Sequence, residues 1–229
     1  MNQAVISGDI IASTSLTDKG RDFISDSLSK LFSDLKKTHN IYGKMLKGDY
    51  VECVVPEPEN ALLVSLLIKS YIKSISDHEM LKSKPDKRFR LFKIYGIRLA
   101  IGYGELSRFD PEKGIIDGEA IYLSGRKINE EATYNKERII IKNTLHFVSG
   151  NETLNQEFEP LLSLIDVLLA KATARQSEVL YYKLKNYTEK AIAKKIHIAQ
   201  SAVNQHSTSI GWNAIEKAIR HFRQVIQKI

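Results

Sequence analysis

The sequence predicts an α+β protein with an antiparallel sheet and helices on one face, followed by a C-terminal all-α helix-turn-helix domain. Two observations lead there. Strand-like and helix-like apolar patterns alternate over residues 1–150, and helical spacing alone continues after residue 150. In addition, residues 171–229 carry eleven Lys/Arg against three Asp/Glu, whereas the whole chain carries 34 against 27. We therefore expect an α+β domain at 1–150, an apolar helical linker at 151–172 and a helix-turn-helix domain at 173–229.

The elements of the first 150 residues follow from apolar periodicity. Helices are expected at 18–37, 59–76 and 119–131. Strands are expected at 4–11, 42–46, 50–55, 94–105 and 138–141, the second and third forming a hairpin that turns at Lys47-Gly48-Asp49. The order strand, helix, hairpin, helix, strand, helix, strand indicates an α+β sheet.

Composition excludes several classes of protein. No apolar run is long enough to cross a bilayer, and residues 1–9 lack the features of a signal peptide, so we expect a cytoplasmic protein with no membrane partner. The single Cys53 lies in a strand-like run and is interpreted as a small buried apolar group, with a reactive thiol as the alternative. The six His residues are widely spread and predict no zinc site.

Residues 188–206 have the apolar spacing of a helix-turn-helix. Thr188 can cap a first helix whose inward residues are Ile192 and Ile196, and Val203 anchors the second helix. Ala199 stands where a Ser or Thr would cap the second helix. The cap of that helix therefore comes from Ser201 or from the backbone alone. The alternative is an ordinary helical hairpin with a solvated basic face.

The polar residues of this segment are of the kinds that bind DNA. Asn and Gln side chains match the edge of adenine, and Lys side chains contact phosphate. We expect double-stranded DNA as a partner, with contacts from Lys190, Lys194, Lys195, Gln200, Ser201, Asn204, Gln205 and His206. The stretch from residue 173 to 212 resembles the helix-turn-helix of sigma-factor region 4, a resemblance that implies DNA binding.

A last helical segment has apolar residues at spacings of three and four. They are Trp212, Ile215, Ile219, Phe222, Ile226 and Ile229. These residues form an apolar seam along one side of the helix. The seam either packs back onto the helix-turn-helix or forms the interface of a homodimer, which would present two recognition helices to two half-sites on DNA.

Two carboxylates suggest a metal site in the first domain. Asp9 ends the first strand and Asp49 lies in the hairpin beside it, so the fold can bring both to one edge of the sheet. Mg²⁺ is commonly held by one or two carboxylates together with substrate phosphates. Alternatively, Asp9 initiates a turn and Asp49 is an ordinary hairpin residue.

Four short motifs carry a second resemblance. The Asp9-Ile-Ile strand end, Lys47-Gly-Asp-Tyr50, Arg98–Gly104 and Gly118–Arg126 come in the order found in class III nucleotidyl cyclase homology domains. Joined to the C-terminal segment, the chain resembles the SatD family, which pairs such a domain with a helix-turn-helix. The resemblance implies a cyclase-type, ferredoxin-like sheet, Mg²⁺ ions on Asp9 and Asp49, a bound nucleotide, and Arg126 as the arginine that steadies the transition-state phosphate.

The chain departs from the cyclase pattern at two positions. Tyr122 occupies the place of the ribose-orienting Asn, and Ile115 the place of the purine-reading Asp, with Asp117 displaced nearby. An enzyme that lacks its substrate-orienting groups loses much of the rate enhancement that comes from holding the substrate in a reactive position. Arg126 can equally be a solvent-facing structural residue.

These inferences lead to one preferred function and two alternatives. The preferred function is a DNA-binding transcriptional regulator whose cyclase-like domain binds a nucleotide or mediates assembly. The alternatives are a metal-dependent nucleotidyl cyclase with a DNA-binding accessory domain, in which Arg126 is catalytic, and a scaffold that makes only protein contacts.

Overall fold

Six strands and nine α-helices make up the part of the chain that the computed structural model describes, residues 2–46, 48–81, 87–131 and 143–229. The strands are β1 (Asn2–Ile10), β2 (Tyr42–Leu46), β3 (Tyr50–Val55), β4 (Ile97–Asp110), β5 (Ile115–Gly118) and β6 (Leu145–Ser149). The helices are α1 (Asp18–His39), α2 (Ala61–Ser74), α3 (Phe89–Tyr95), α4 (Glu119–Glu131), α5 (Glu152–Lys171), α6 (Ala174–Leu184), α7 (Glu189–Ile196), α8 (Gln200–Ser209) and α9 (Trp212–Ile226). The strand predicted at 138–141 lies outside the described residues.

The strands form one curved sheet in the order β2-β3-β1-β4-β5, with β6 also paired to β4. Two strands pair with the same edge of the long β4. β6 pairs with Leu99–Tyr103, and β5 pairs with the far end from Leu106 to Asp110. Among the described residues four strand pairs are antiparallel, as predicted, whereas the β4–β6 pair is parallel, which corrects the prediction at that pair. A parallel partner needs a crossover connection, and α4 lies in that connection.

Helices cover both faces of the sheet, which corrects the expectation that they lie on one face. On one side, Ala4, Ile6 and Ile10 of β1 enter the main core with apolar residues of α1 and α2. On the other side, Val5 contacts Ala120 of α4. Consistent with this, β1 is buried at consecutive positions rather than at alternate ones, which is the pattern of a strand covered on both faces.

The C-terminal helices continue the core of the sheet. Residues of α5, α6 and α9 belong to the same buried cluster as β1 and α2. Phe147 of β6, Phe158 of α5 and Phe222 of α9 pack ring against ring, with centroids 4.6–5.8 Å apart. Most of the predicted seam of the last helix is therefore buried within this chain. The domain boundaries at residues 150 and 172 stay predictions.

A buried ion pair fastens α5 to α2 and the sheet. Lys69 of α2 and Asp166 of α5 are 2% and 3% exposed, and the Lys69 Nζ lies 3.2 Å from Asp166 Oδ1. Thr144 donates to Asp166 through its backbone N–H at 2.5 Å and its hydroxyl at 2.7 Å. Lys69 also donates to the carbonyl oxygen of Ile97 at 2.9 Å. Each charge is thus compensated, as a buried charge must be.

Lys73, one turn further along α2, satisfies the C-terminal end of α5. Its Nζ donates to the carbonyl oxygens of Leu169 at 2.6 Å and Ala170 at 3.0 Å, which lie in the last turn of α5, where the regular helical hydrogen bonds run out. Burial lowers the pKa of Lys73 to about 8.

Among the described residues, no helix combines the length and the apolar character that crossing a membrane requires.

Candidate nucleotide-binding site and nucleic-acid interface

The fold places Asp9 and Asp49 side by side. Asp9 pairs with Tyr50 across the β1–β3 ladder, so Asp49 lies one residue beyond that pair. The backbone N–H of Ile10 donates to the carbonyl oxygen of Asp49 at 3.0 Å, which ties the hairpin to the end of β1. The proximity expected from the strand order is therefore present.

Arg98 of β4 lies directly beside Asp9. The two residues are paired across the β1–β4 ladder, and Arg98 Nε is 3.7 Å from Asp9 Oδ1. Burial raises the pKa of Asp9, and the nearby Asp49 carboxylate raises it further while Arg98 opposes the shift. Asp9 Oδ1 and the Arg98 Nε and Nη1 atoms are buried and have no hydrogen-bond partner among the described residues. A divalent cation at Asp9 would satisfy that oxygen and favour the ionised carboxylate.

This donor set fits Mg²⁺ bound together with a phosphate. Two carboxylates are available, and the described part of the chain contains no group of three or more His, Cys, Asp or Glu that could hold a metal alone. A cation here would complete its shell with water and phosphate oxygens, the usual arrangement for Mg²⁺. Asp9 and Asp49 would hold the ion, which would neutralise phosphate charge.

A cleft of about 370 Å³ opens beside Asp49. It is lined by Gly48, Asp49, Ser13, Thr14 and Arg21. Ser13 donates its hydroxyl to Asp49 Oδ2 at 2.6 Å, and Arg21 Nη1 donates to the carbonyl oxygen of Leu16 at 2.9 Å. Hydroxyls and a guanidinium next to a carboxylate pair are the groups that a metal-bound phosphate would contact.

Sequence reasoning assigned no role to Ser13, Thr14, Arg21 or Arg98. Two signals were present in the sequence. A run of hydroxyl residues lies at 13–15, shortly after the first strand, and Arg98 is followed by six uncharged residues in its strand. Neither signal identifies a contact to Asp9 or Asp49 until the strands are paired.

Arg126 and Asp49 line different clefts of the structure. Arg126 lies on the exposed side of α4 and forms no hydrogen bond or ion pair with any described residue. Tyr122, one turn earlier and 64% exposed, donates its hydroxyl to Asp117 Oδ1 at 2.5 Å. That hydrogen bond raises the pKa of Tyr122 and engages Asp117, the displaced carboxylate. Tyr122 and Arg126 thus line one cleft and Asp49 another.

In the C-terminal segment, α7 and α8 form a helical pair joined by a three-residue turn. The predicted cap is present, because Thr188 Oγ1 accepts a hydrogen bond from the backbone N–H of Ala191. At the end of α7, His197 takes a left-handed conformation with φ of 55°. Ala199 precedes α8, and no side chain caps the start of that helix.

A small core of its own holds this pair against α6. Val179 of α6, Ile192 and Ile196 of α7, and Val203 of α8 form a buried cluster separate from the main core. The residues predicted to contact DNA lie around it as follows: Lys190, Lys194, Lys195, Gln200, Ser201, Asn204 and Gln205 are exposed, and His206 is half-buried. Each of these side chains therefore has at least part of its surface available to a partner.

Two of these side chains already have neighbours. Asn204 Nδ2 donates to Glu189 Oε1 at 3.4 Å, a long hydrogen bond that a base edge could replace. The Lys195 ammonium lies over the rings of Tyr182 and Tyr187, 5.5 and 5.9 Å from their centroids. Cation–π contacts of this kind position Lys195 without neutralising its charge.

Comparison with known proteins gives a distant structural likeness. No protein-family model and no curated protein matches the sequence. Two solved structures described as a bacterial light-regulated adenylyl cyclase are similar to it. One is 15% identical with a TM-score of 0.42 and covers 64% of this chain and 74% of the other. The second is 14% identical with a TM-score of 0.44 and covers 64% of this chain and 43% of the other. Both are too distant to assign a function.

Proposed function

We propose that this protein is a DNA-binding regulator whose α+β part binds a nucleotide with Mg²⁺, and that it acts in the cytoplasm. The observation that carries the proposal is the unit formed by α6, α7 and α8. It has its own apolar cluster, and around that cluster it exposes uncharged hydrogen-bonding side chains on α8 beside three lysines on α7. The motifs quoted above support its assignment to the SatD family as part of the same proposal.

The chemistry of the two helices suits different parts of a DNA duplex. Gln200, Ser201, Asn204 and Gln205 of α8 offer donors and acceptors for base edges in the major groove. The lysines of α7 offer charge for phosphates, which supplies affinity without sequence information. The excess of Lys and Arg after residue 170 adds a general attraction to the DNA backbone.

The affinity of this protein for DNA is expected to depend strongly on salt. Affinity for genomic duplex fragments should fall steeply as salt rises, because each neutralised phosphate releases counterions. Replacing Lys190, Lys194 and Lys195 together by Ala should reduce the slope of log affinity against log salt by about 2.7, from about 0.9 per contact. Fluorescence anisotropy over a salt series measures the slope.

The control for this experiment removes surface charge elsewhere. Lys36→Ala and Lys37→Ala on the exposed side of α1 should leave the salt slope unchanged. Asn204→Ala should weaken binding to a selected fragment by about 1–3 kcal/mol and leave binding to random DNA unchanged. Binding that is absent, or equally sensitive to the α1 lysines, would contradict the proposed interface.

Nucleotide binding is expected to depend on Asp49. ATP or GTP with Mg²⁺ should bind by calorimetry, and Asp49→Asn should weaken binding by roughly tenfold or more, because a charged ligand to the cation is lost. Asp26→Asn, which removes an exposed carboxylate of α1, is the matched control and should bind as the wild type does. Equal affinities for the wild type and Asp49→Asn would reject the carboxylate site.

The adjacent Asp9 and Asp49 also favour a second candidate function, a metal-dependent nucleotidyl cyclase. Incubation with ATP or GTP and Mn²⁺ would then produce a cyclic nucleotide, and Asp49→Asn would abolish the product. The hydrogen bond between Tyr122 and Asp117 argues for binding without cyclisation, since it engages the positions that would orient a substrate. No turnover with retained nucleotide binding would support the regulator.

A further inference from the structure

The outward side of α5 is an apolar surface that no part of the described chain covers. Leu164 is 67% exposed, more than any other large apolar residue among the described ones, and Val167 on the next turn is 47% exposed. Leu161 and Leu168 border them and are half-buried. The opposite side of the helix is in the main core through Leu154, Phe158, Leu162, Ile165 and Leu169. We call the outward surface, from Glu157 to Lys171, the α5 stripe.

Charges at the two ends of the α5 stripe have opposite signs. Glu157 precedes Leu164 by seven residues and Lys171 follows it by seven. Seven residues make about two helical turns, so both charges lie on the same side of the helix as Leu164, each roughly 10 Å away along the axis. The stripe is therefore acidic, apolar and basic in turn, with Leu164 at its centre.

We propose that α5 pairs in antiparallel fashion with α5 of a second copy of this chain, on a two-fold axis at Leu164. Antiparallel pairing sets Glu157 of each chain opposite the Lys171 of the partner and buries Leu164 against its own symmetry mate. A parallel pair would instead oppose like charges at both ends. The antiparallel arrangement also aligns the helix dipoles favourably, and a self-complementary patch is what a closed two-fold dimer requires.

The contacts that Glu157 and Lys171 make within the described chain leave both side chains able to form an ion pair with a partner chain. Glu157 Oε1 is 2.9 Å from His221 Nε2, which leaves its second carboxylate oxygen for a partner. Lys171 is exposed and forms no ion pair with a described residue. The predicted seam of α9 does not compete, because Ile215, Ile219 and Phe222 are buried in the chain's own core.

The position of α5 gives this pairing a structural consequence. Only Ala172 and Thr173 separate α5 from α6, the first helix of the proposed DNA-binding unit. Pairing through α5 would thus relate two such units by the same two-fold axis. The pairing itself does not depend on DNA binding, and it can be measured without DNA.

Charge reversal tests the antiparallel register. In sedimentation at micromolar concentration the wild type should be a dimer. Glu157→Lys or Lys171→Glu alone should weaken the dimer by about tenfold, because two attractive pairs become repulsive. The double variant Glu157→Lys/Lys171→Glu restores both pairs and should return the dissociation constant to near the wild-type value. Weak dimers in both single variants and in the double variant would overturn the register.

Substitution at the axis tests the apolar contact. Leu164→Glu places two carboxylates together and should yield monomer, whereas Met80→Glu, at another exposed apolar residue, should leave the dimer intact. Circular dichroism confirms that each variant is folded. A monomeric wild type, or a Leu164→Glu variant that stays dimeric, would overturn the proposal.

Disulfide cross-linking distinguishes antiparallel from parallel pairing. The only native cysteine, Cys53, is fully buried, and burial raises the pKa of its thiol, so it does not compete. With dioxygen as the oxidant and copper–phenanthroline as the catalyst, Leu164→Cys should form a covalent dimer, because two thiols give up two protons and two electrons to form one S–S bond. Thr153→Cys, on the same side of α5 eleven residues earlier, should not. Cross-linking of both variants would indicate parallel pairing and reject the two-fold axis at Leu164.

Discussion

Asp166→Asn is expected to destabilise the protein by about 3–5 kcal/mol, because it leaves the buried Lys69 ammonium without its counter-charge. Lys69 is 2% exposed, and Asp166 is the carboxylate nearest its Nζ at 3.2 Å. Asn keeps the shape of the side chain and one oxygen acceptor, so the loss combines the missing charge with one missing acceptor for Thr144. Urea unfolding followed by circular dichroism gives the free energy of unfolding.

A double variant separates the charge from the packing. Lys69→Met together with Asp166→Leu removes both ions and should cost less than Asp166→Asn alone, since no uncompensated charge remains. A double variant that is less stable than Asp166→Asn would show that the hydrogen bonds of Thr144 and Ile97 outweigh the ion pair.

The same pair makes stability depend on acid pH. Burial opposes ionisation of Asp166, but the Lys69 ammonium and the hydrogen bonds from Thr144 lower the pKa of Asp166 below its ordinary 3.8. The stabilising contribution is therefore complete above the unfolded-state pKa and is lost as pH falls through the folded-state pKa. Below about pH 5 the free energy of unfolding should fall less steeply for Asp166→Asn than for the wild type.

Gly102→Ala is expected to destabilise the protein by about 1–3 kcal/mol or more, because it forces α4 away from the sheet. A Cβ atom at Gly102 would lie 2.1 Å from the carbonyl oxygen of Ala120 and 2.9 Å from the backbone N of Ser124. Both are backbone atoms, so no side-chain rotation relieves the overlap. The displacement would also stretch the 2.8 Å hydrogen bond between Ser7 and Ser124.

A second glycine at the same interface supplies the control. A Cβ at Gly125 in α4 would meet only the Tyr50 hydroxyl, at an ordinary 3.5 Å. Because glycine within a helix costs backbone entropy, Gly125→Ala should stabilise the protein by about 0.5–1 kcal/mol. Thermal unfolding of the two variants should therefore shift in opposite directions. A neutral Gly102→Ala would show that α4 does not pack as closely as the structure indicates.

Much of the local structure could be predicted because it depends on neighbours along the chain. The helix predicted at 119–131 has those bounds, and the hairpin strands at 42–46 and 50–55 do as well. The strand predicted from residue 94 begins at Ile97 instead, since residues 89–95 form α3, and the short β5 was not expected. Short strands such as β5 carry too few residues for periodicity to identify.

The candidate carboxylate site could be predicted only in part. Asp9 and Asp49 follow from the strand order, since each lies at an end that the fold must bring near the other. Arg98 could not be inferred, because its place beside Asp9 depends on the β1–β4 register. That Arg126 and Asp49 line different clefts likewise depends on how α4 packs against the sheet.

By itself the sequence determined most helices and strands, the basic C-terminal segment and the polar surface of α8, because periodicity, capping residues and charge act over a few residues. Tertiary structure alone decided which surfaces were already occupied. It buried the α9 seam, covered the second face of the sheet with α4, paired β6 in parallel with β4, and left Leu164 of α5 exposed. An amphipathic pattern shows that a helix has an apolar side, but only contacts between residues distant in the chain decide what covers it.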